Sequence, residues 1–217
     1  MLLESLTRCR IIPNGDFEKG IAGMEYNDLI DWNYSLLVRY LPYGNPPIGE
    51  AFHINDTHYY NRFQSLYTYL QTQSVYSPGH PQSGYDSSCS QYLTTEKPVF
   101  TTANYVSLWI GGYGYTTSSR YHHAIYLTLS DDNETSRLEL RLDRWEPIHR
   151  NNYNETEVGN DGNTWYRYTR EIPANLDKSN LTVEIEHMHA SWDFTTTASW
   201  FYLDNVYFSD ANGNPVS

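Results

Sequence analysis

The chain has 217 residues, of which 18% are charged and 16% aromatic, including 21 Tyr and 6 Trp. That content excludes a disordered chain and supplies one sizeable core. The net charge of −12, from 14 Lys and Arg against 26 Asp and Glu, argues against a nucleic-acid or anionic-membrane surface and suits neutral ligands or hard cations.

In chain order, MLLESLTRCR is not a signal peptide, because Glu4 breaks its apolar run and no long hydrophobic region follows. No stretch is long enough to span a bilayer. DLIDWNYSLLVRYL has the β-branched and aromatic content of a strand rather than a helical period. LPYGNPPIGE and QSVYSPGHPQSGYDSS are rich in Pro, Gly and Tyr and read as surface loops. NYVSLWI alternates, with Val106, Leu108 and Ile110 on one face and Tyr105, Ser107 and Trp109 on the other. AIYLTLSDD follows the same rule and ends in a turn at DDNET. RLELRLDRW sets Leu138, Leu140 and Leu142 against Glu139, Arg141 and Asp143. TWYRYTREI and LTVEIEHMHA repeat the alternation, separated by turn clusters such as PANLDKSN. SWFYLDNVYFSD closes the series with Asp204 at its centre. A carboxylate in such a strand is costly unless it is paired, hydrogen-bonded or metal-bound. Short alternating strands between turn signals predict an all-β antiparallel sandwich. It forms one domain over 1–217, with a core from about 9 to 210.

Cys9 and Cys89 lack CxxC spacing, so a structural zinc site is not expected. They form either one disulfide of a secreted protein, the preferred reading, or two unrelated thiols. Sequons stand at Asn33, Asn55, Asn133, Asn154 and Asn180, and would accept N-glycans in a secretory pathway. Catalytic signatures of the G-x-S-x-G, H-E-x-x-H and P-loop kinds are absent from the sequence. His187 and His189 share a strand face and suit a transition metal, but lack a clear third ligand. Glu184 and Glu186 also share a face. A glycosidase needs two carboxylates at a defined separation, which sequence spacing does not establish.

Two anchors belong together: IIPNGDFEKG followed by Asp31-Trp32, and FYLDNVYF near the C-terminus. With SCSQYLTT, NYVSLWI, AIYLTLSD, NTWYRYTREI and LTVEIE in order between them, the chain resembles the jelly-roll (galactose-binding-domain-like) carbohydrate-binding modules attached to extracellular glycoside hydrolases. The resemblance implies a secreted, non-catalytic module that binds a neutral polysaccharide or glycan. It implies that the N-terminal segment and final strand run close together around a structural Ca²⁺, with Asp16, Glu18 and Asp204 as the matching ligands. It places Trp32 and Trp165 in the core.

A sugar ring needs a flat aromatic face beside polar groups. The expected site is therefore an aromatic-lined groove or loop site with Trp109 as its platform. Tyr105, Tyr113, Tyr115, Trp145 and Trp192 add rings, and Glu139 and Arg141 add polar contacts. The alternatives are a structural or adhesive extracellular protein and, third, a glycoside hydrolase or polysaccharide lyase.

Overall fold

Residues 12–19, 29–39, 45–57, 60, 64–73, 87–115, 121–143, 152–191 and 196–216 are described by a computed structural model. The alternating segments become strands β1 (Trp32–Arg39), β2 (Asn45–Asn55), β3 (Ser65–Gln73), β4 (Ser87–Thr95), β5 (Tyr105–Tyr115), β6 (Tyr121–Ser130), β7 (Thr135–Asp143), β8 (Glu155–Val158), β9 (Thr164–Glu171), β10 (Thr182–Ser191) and β11 (Thr196–Ser209). They form a five-stranded sheet, β1-β4-β10-β6-β7, and a six-stranded sheet, β2-β3-β11-β5-β9-β8. Every pairing is antiparallel. The chain crosses repeatedly from one sheet to the other, as in β4–β5–β6 and β9–β10–β11, so the fold is an antiparallel β-sandwich of jelly-roll type. No helix among the described residues is long and apolar enough to cross a membrane.

The sequence's alternation places the core. Leu93, Ile185 and Leu127 from the five-stranded sheet meet Leu108, Ile110, Phe201 and Leu203 from the six-stranded sheet in one buried cluster. Trp32 belongs to this cluster. Trp165 is fully buried as well, but outside it, against Gly111, where an added Cβ would lie 2.7 Å from its ring.

Two local features depart from simple alternation. LPYGNPPIGE is not wholly a loop: its Asn45–Glu50 part opens β2. Pro46 and Pro47 are tolerated because β2 is an edge strand and its pairing with β3 shifts register between Asn45 and Ile48. In β11 a bulge between Asp204 and Tyr207 adds Asn205 in a left-handed conformation (φ 50°). The extra residue turns both Asp204 and Tyr207 away from the core while Leu203 and Val206 face it.

The N-terminal segment is tied to this bulge, with Val206 N donating to Gly15 O at 2.7 Å. A Cβ on Gly15 would lie 2.1 Å from Val206 O, so only glycine permits the approach. The two chain ends therefore run together.

One end of the interior is polar. Gln91, His123, His187, His189, Thr68 and Ser199 are all buried there. His187 Nδ1 lies 2.8 Å from Thr68 Oγ1 and its Nε2 lies 2.9 Å from Ser199 Oγ, which is also 2.9 Å from His189 Nδ1. Burial first, then the neighbouring His189 and His123, holds His187 well below its ordinary pKa, so it stays neutral. Both its ring nitrogens are engaged by hydroxyls. Among the described residues no group of three or more His, Cys, Asp or Glu side chains is placed to hold a metal. The His187/His189 pair is therefore part of the interior rather than a metal site. Cys89 sits beside His189 in register as a buried free thiol, pushed up to about 12 by burial. Cys9 lies outside the described residues.

Candidate functional site

The outward alternation of each sheet sets up two candidate surfaces. On the six-stranded sheet, Tyr105, Ser107 and Trp109 do share the face opposite Val106, Leu108 and Ile110. That face is covered, however. Trp109 is 2% exposed, and the Tyr60 ring stacks on it with centroids 4.0 Å apart and planes at 16°. The Arg167 guanidinium lies 5.7 Å from the Trp109 ring centre. Ser107 Oγ is 2.9 Å from both Thr169 Oγ1 and Ser209 Oγ, so its polar groups are satisfied within the protein. Trp109 is thus a packed ring, not an open platform, because its free face is already taken by a protein aromatic. Tyr105 is half-buried beside it.

Asp204 pairs in register with Trp109 and is fully buried under this cover. Its Oδ2 accepts from Tyr60 N at 3.1 Å and its Oδ1 from Asn205 N at 2.7 Å. The carboxylate therefore holds the β11 bulge and the Tyr60 backbone together, which offsets its desolvation. Glu18 Oε1 accepts from Gln64 N at 3.0 Å. The structural Ca²⁺ that the resemblance implies draws on backbone carbonyls as well as carboxylates; among the described residues no group of three or more His, Cys, Asp or Glu side chains is placed to hold it by side chains alone.

The five-stranded sheet presents a different surface. Inward residues 183, 185, 187 and 189 of β10 leave Glu184, Glu186 and Met188 facing out. Register places Tyr92 of β4 and Tyr126 of β6 on either side of Glu186. One turn of the pleat away, Thr94 and Thr128 flank Glu184 in the same manner. The Arg137 guanidinium covers the Tyr126 ring at 3.5 Å from its centre and pairs with Glu186 at 2.5 Å. Thr94 Oγ1 donates to Glu184 Oε2 at 3.0 Å. Tyr92 shares hydrogen bonds with Ser90 and Glu186.

Partial burial first, then the Glu186 charge, raises Glu184 above the ordinary carboxylate range, against the opposing Thr94 hydroxyl and Arg137. Burial likewise raises the Tyr92 phenol, helped by both glutamates. Tyr92, Thr94, Thr128 and Glu184 remain part-exposed. This face thus offers the Tyr92 phenol ring, the Glu184 carboxylate and a guanidinium fixed by the buried Glu186, side by side.

The remaining expected residues scatter. Glu139 pairs with Tyr126 and Arg141 with Ile125, because a register shift intervenes between Ile125 and Tyr126. Their side chains lie outside the description. Tyr113 and Tyr115 hold β5 positions paired with Phe201 and Ser199, and their side chains lie outside the description. Trp145 and Trp192 lie outside the described residues. Tyr92 and Glu186 are not among the ligand contacts that the sequence suggests. The available signals were the alternation of SCSQYLTT and the shared face of Glu184 and Glu186. Of the sequons, Asn33, Asn133 and Asn154 are exposed and Asn180 is half-buried, while the Asn55 side chain is not described.

No family model matches the chain, and no curated protein matches it. Its neighbours among solved structures are mostly carbohydrate-binding modules with β-sandwich folds. One is a module of promiscuous specificity from the β-sandwich superfamily, similar at 9% identity and a TM-score of 0.45 over 85% of this chain. This chain spans only 60% of that one. A second, with specific mannan recognition, is similar at 10% identity and a TM-score of 0.37, covering 86% of this chain and 92% of its own. The K3 adhesin domain of Lys-gingipain from Porphyromonas gingivalis w83 is similar at 18% identity and a TM-score of 0.41, covering 93% and 99%. The sandwich architecture rests on this chain's own strand order.

Proposed function

We propose that the chain binds a neutral polysaccharide or glycan on the outer face of its five-stranded sheet, without cleaving it. The observation that carries the reading is the row Tyr92–Glu186–Tyr126, with Glu184 and Thr94 beside it and Arg137 fixed over Tyr126. The apolar face of a sugar ring would lie on Tyr92, the ring that Arg137 does not cover. Its hydroxyls would donate to Glu184 and to the Thr94 hydroxyl oxygen and accept from Thr128 and Arg137. Because each polar side chain is already held by a neighbour, little ordering cost remains at binding. Two carboxylates in the row disfavour uronic-acid polymers, which fits the chain's charge of −12. The reading implies a secreted protein working beside other domains or at a surface.

Retention on insoluble and arrayed polysaccharides tests this, with Tyr92→Ala as the control. The wild type should be retained on one neutral class, and the variant should lose about tenfold or more in affinity, or about 1.4 kcal/mol. Retention on none would remove the reading.

An adhesive role is the second reading. It is favoured by the edge strand β1, where Leu36 and Leu37 are 51% and 42% exposed. Light scattering would then show self-association. A cleaving activity would instead release reducing or unsaturated ends and vanish in Glu184→Gln.

A further inference from the structure

The edge strands of the sandwich are β1 and β7 on one sheet and β2 and β8 on the other. A bare sheet edge is a template for another strand, and proteins guard it with charge, proline or shortness. Three of these edges are guarded. β7 carries Arg137, Glu139, Arg141 and Asp143. β2 carries Pro46 and Pro47 and shifts register twice against β3. β8 has only 4 residues, among them Glu155 and Glu157. β1 has no such guard: from Trp32 to Val38 it holds no charge, proline or glycine, and it pairs with β4 without a register shift.

Side chains and backbone are both presented along β1. Trp32 and Tyr34 point to the core, yet Leu36, next on that face, is 51% exposed, and Leu37 on the other face is 42% exposed. Glu96 N, just past β4, donates to Asp31 O at 3.0 Å, while the Trp32 N–H turns the other way and donates to Leu29 O. The alternation of an antiparallel ladder carries this pattern along β1, so Leu36 and Val38 aim N–H and C=O away from β4. Among the described residues no strand pairs on that side of β1.

We propose that β1 pairs antiparallel with β1 of a second copy about a two-fold axis, joining the two five-stranded sheets into one continuous sheet. The strand is its own complement. Outward-aimed residues can bond only to outward-aimed residues, so Trp32, Tyr34, Leu36 and Val38 meet only members of that same apolar set. The stretch Trp32–Val38 holds no charge, so two chains of net charge −12 bring no like charges face to face there. The contact uses the same patch on both copies and closes at two, unlike an adhesive assembly that grows. It stands whether or not the sheet face binds a glycan.

Sedimentation velocity of the full chain over a concentration and salt series tests this. The wild type should pass from monomer to dimer and stop there. Pairing should tighten with salt, which screens the repulsion between two acidic bodies. Leu36→Lys should weaken it by about tenfold or more by bringing like charges together at the contact. Leu36→Pro should also weaken it, by removing an N–H that the β1–β4 ladder does not use. Val158→Lys, on the β8 edge where Val158 is 73% exposed, should change nothing. Melting curves show which variants are folded, and Leu36→Lys decides where Leu36→Pro is not. A wild type monomeric throughout, or a dimer untouched by Leu36→Lys, overturns the pairing. Loss in Leu36→Lys but not in a folded Leu36→Pro overturns strand pairing as its basis, and growth past two copies overturns the closed dimer.

Discussion

The two outer faces of the sandwich are built by the same alternation and carry the same residue types, aromatic, acidic and basic. On the six-stranded sheet these groups face inward to other protein groups: Tyr60 covers Trp109, Asp204 accepts two backbone N–H groups, and Trp165 fills the space over Gly111. On the five-stranded sheet Tyr92, Glu184 and Thr94 stay part-exposed beside a fixed Arg137–Glu186 pair. An aromatic ring on a strand is therefore a platform or a filler according to what a distant segment lays over it. One face should govern stability and the other affinity.

The largest expected effect is on the covered face. Trp165→Ala removes a fully buried indole and should cost about 3–5 kcal/mol of stability, read from denaturant melts, without changing affinity per folded molecule. Asp204→Ala leaves the Tyr60 and Asn205 amides without their acceptor and should cost about 2–3 kcal/mol. On the open face the order reverses. Tyr92→Ala should lose about 1.4 kcal/mol or more of binding free energy and shift the melting curve far less.

The polar end of the interior adds a pH dependence of its own. His187 is held neutral in the folded protein, whereas in the unfolded chain it titrates near its ordinary value of 6.5. Above that value both states are neutral and the contribution is fully present. As pH falls through about 6.5 the unfolded chain takes up a proton that the folded one refuses, so stability falls. A series of melts from pH 8 to about pH 5 should show a plateau followed by a decline, and the decline should shrink in His187→Gln. The smallest effect is expected at Glu184. Its ionised form is disfavoured in the folded protein, so that cost is fully present above its raised pKa, shrinks as pH falls through it, and is gone below the ordinary value of 4.5. Glu184→Gln should raise the melting temperature slightly at neutral pH, lose that advantage in acid, and still weaken binding. A gain in stability with a loss in affinity is the signature of a residue kept for function.

Much of the fold was legible. The period-two runs of β5, β6 and β10 assign the core faces correctly, because an alternating strand can bury only one side. Trp32 and Trp165 were placed inside on the strength of the flanking motifs, and both are buried. Three things were not legible. Which face stays open depends on Tyr60, which reaches Trp109 from 49 positions away along the chain (109 minus 60), and no local pattern reports that. The register of β6 against β7 shifts between Ile125 and Tyr126, and a strict alternation cannot see a shift that depends on pairing. The prolines of β2 read as loop because their tolerance depends on the strand lying at a sheet edge. Asp204 posed the right question, since its burial does need compensation, and the Tyr60 and Asn205 amides donate to its carboxylate.

The most direct test compares polysaccharide retention and melting temperature in Tyr92→Ala and Trp109→Leu. The account predicts that Tyr92→Ala loses retention with its melting temperature nearly unchanged. It predicts that Trp109→Leu melts lower yet is retained like the wild type. Retention lost in Trp109→Leu and kept in Tyr92→Ala would contradict it.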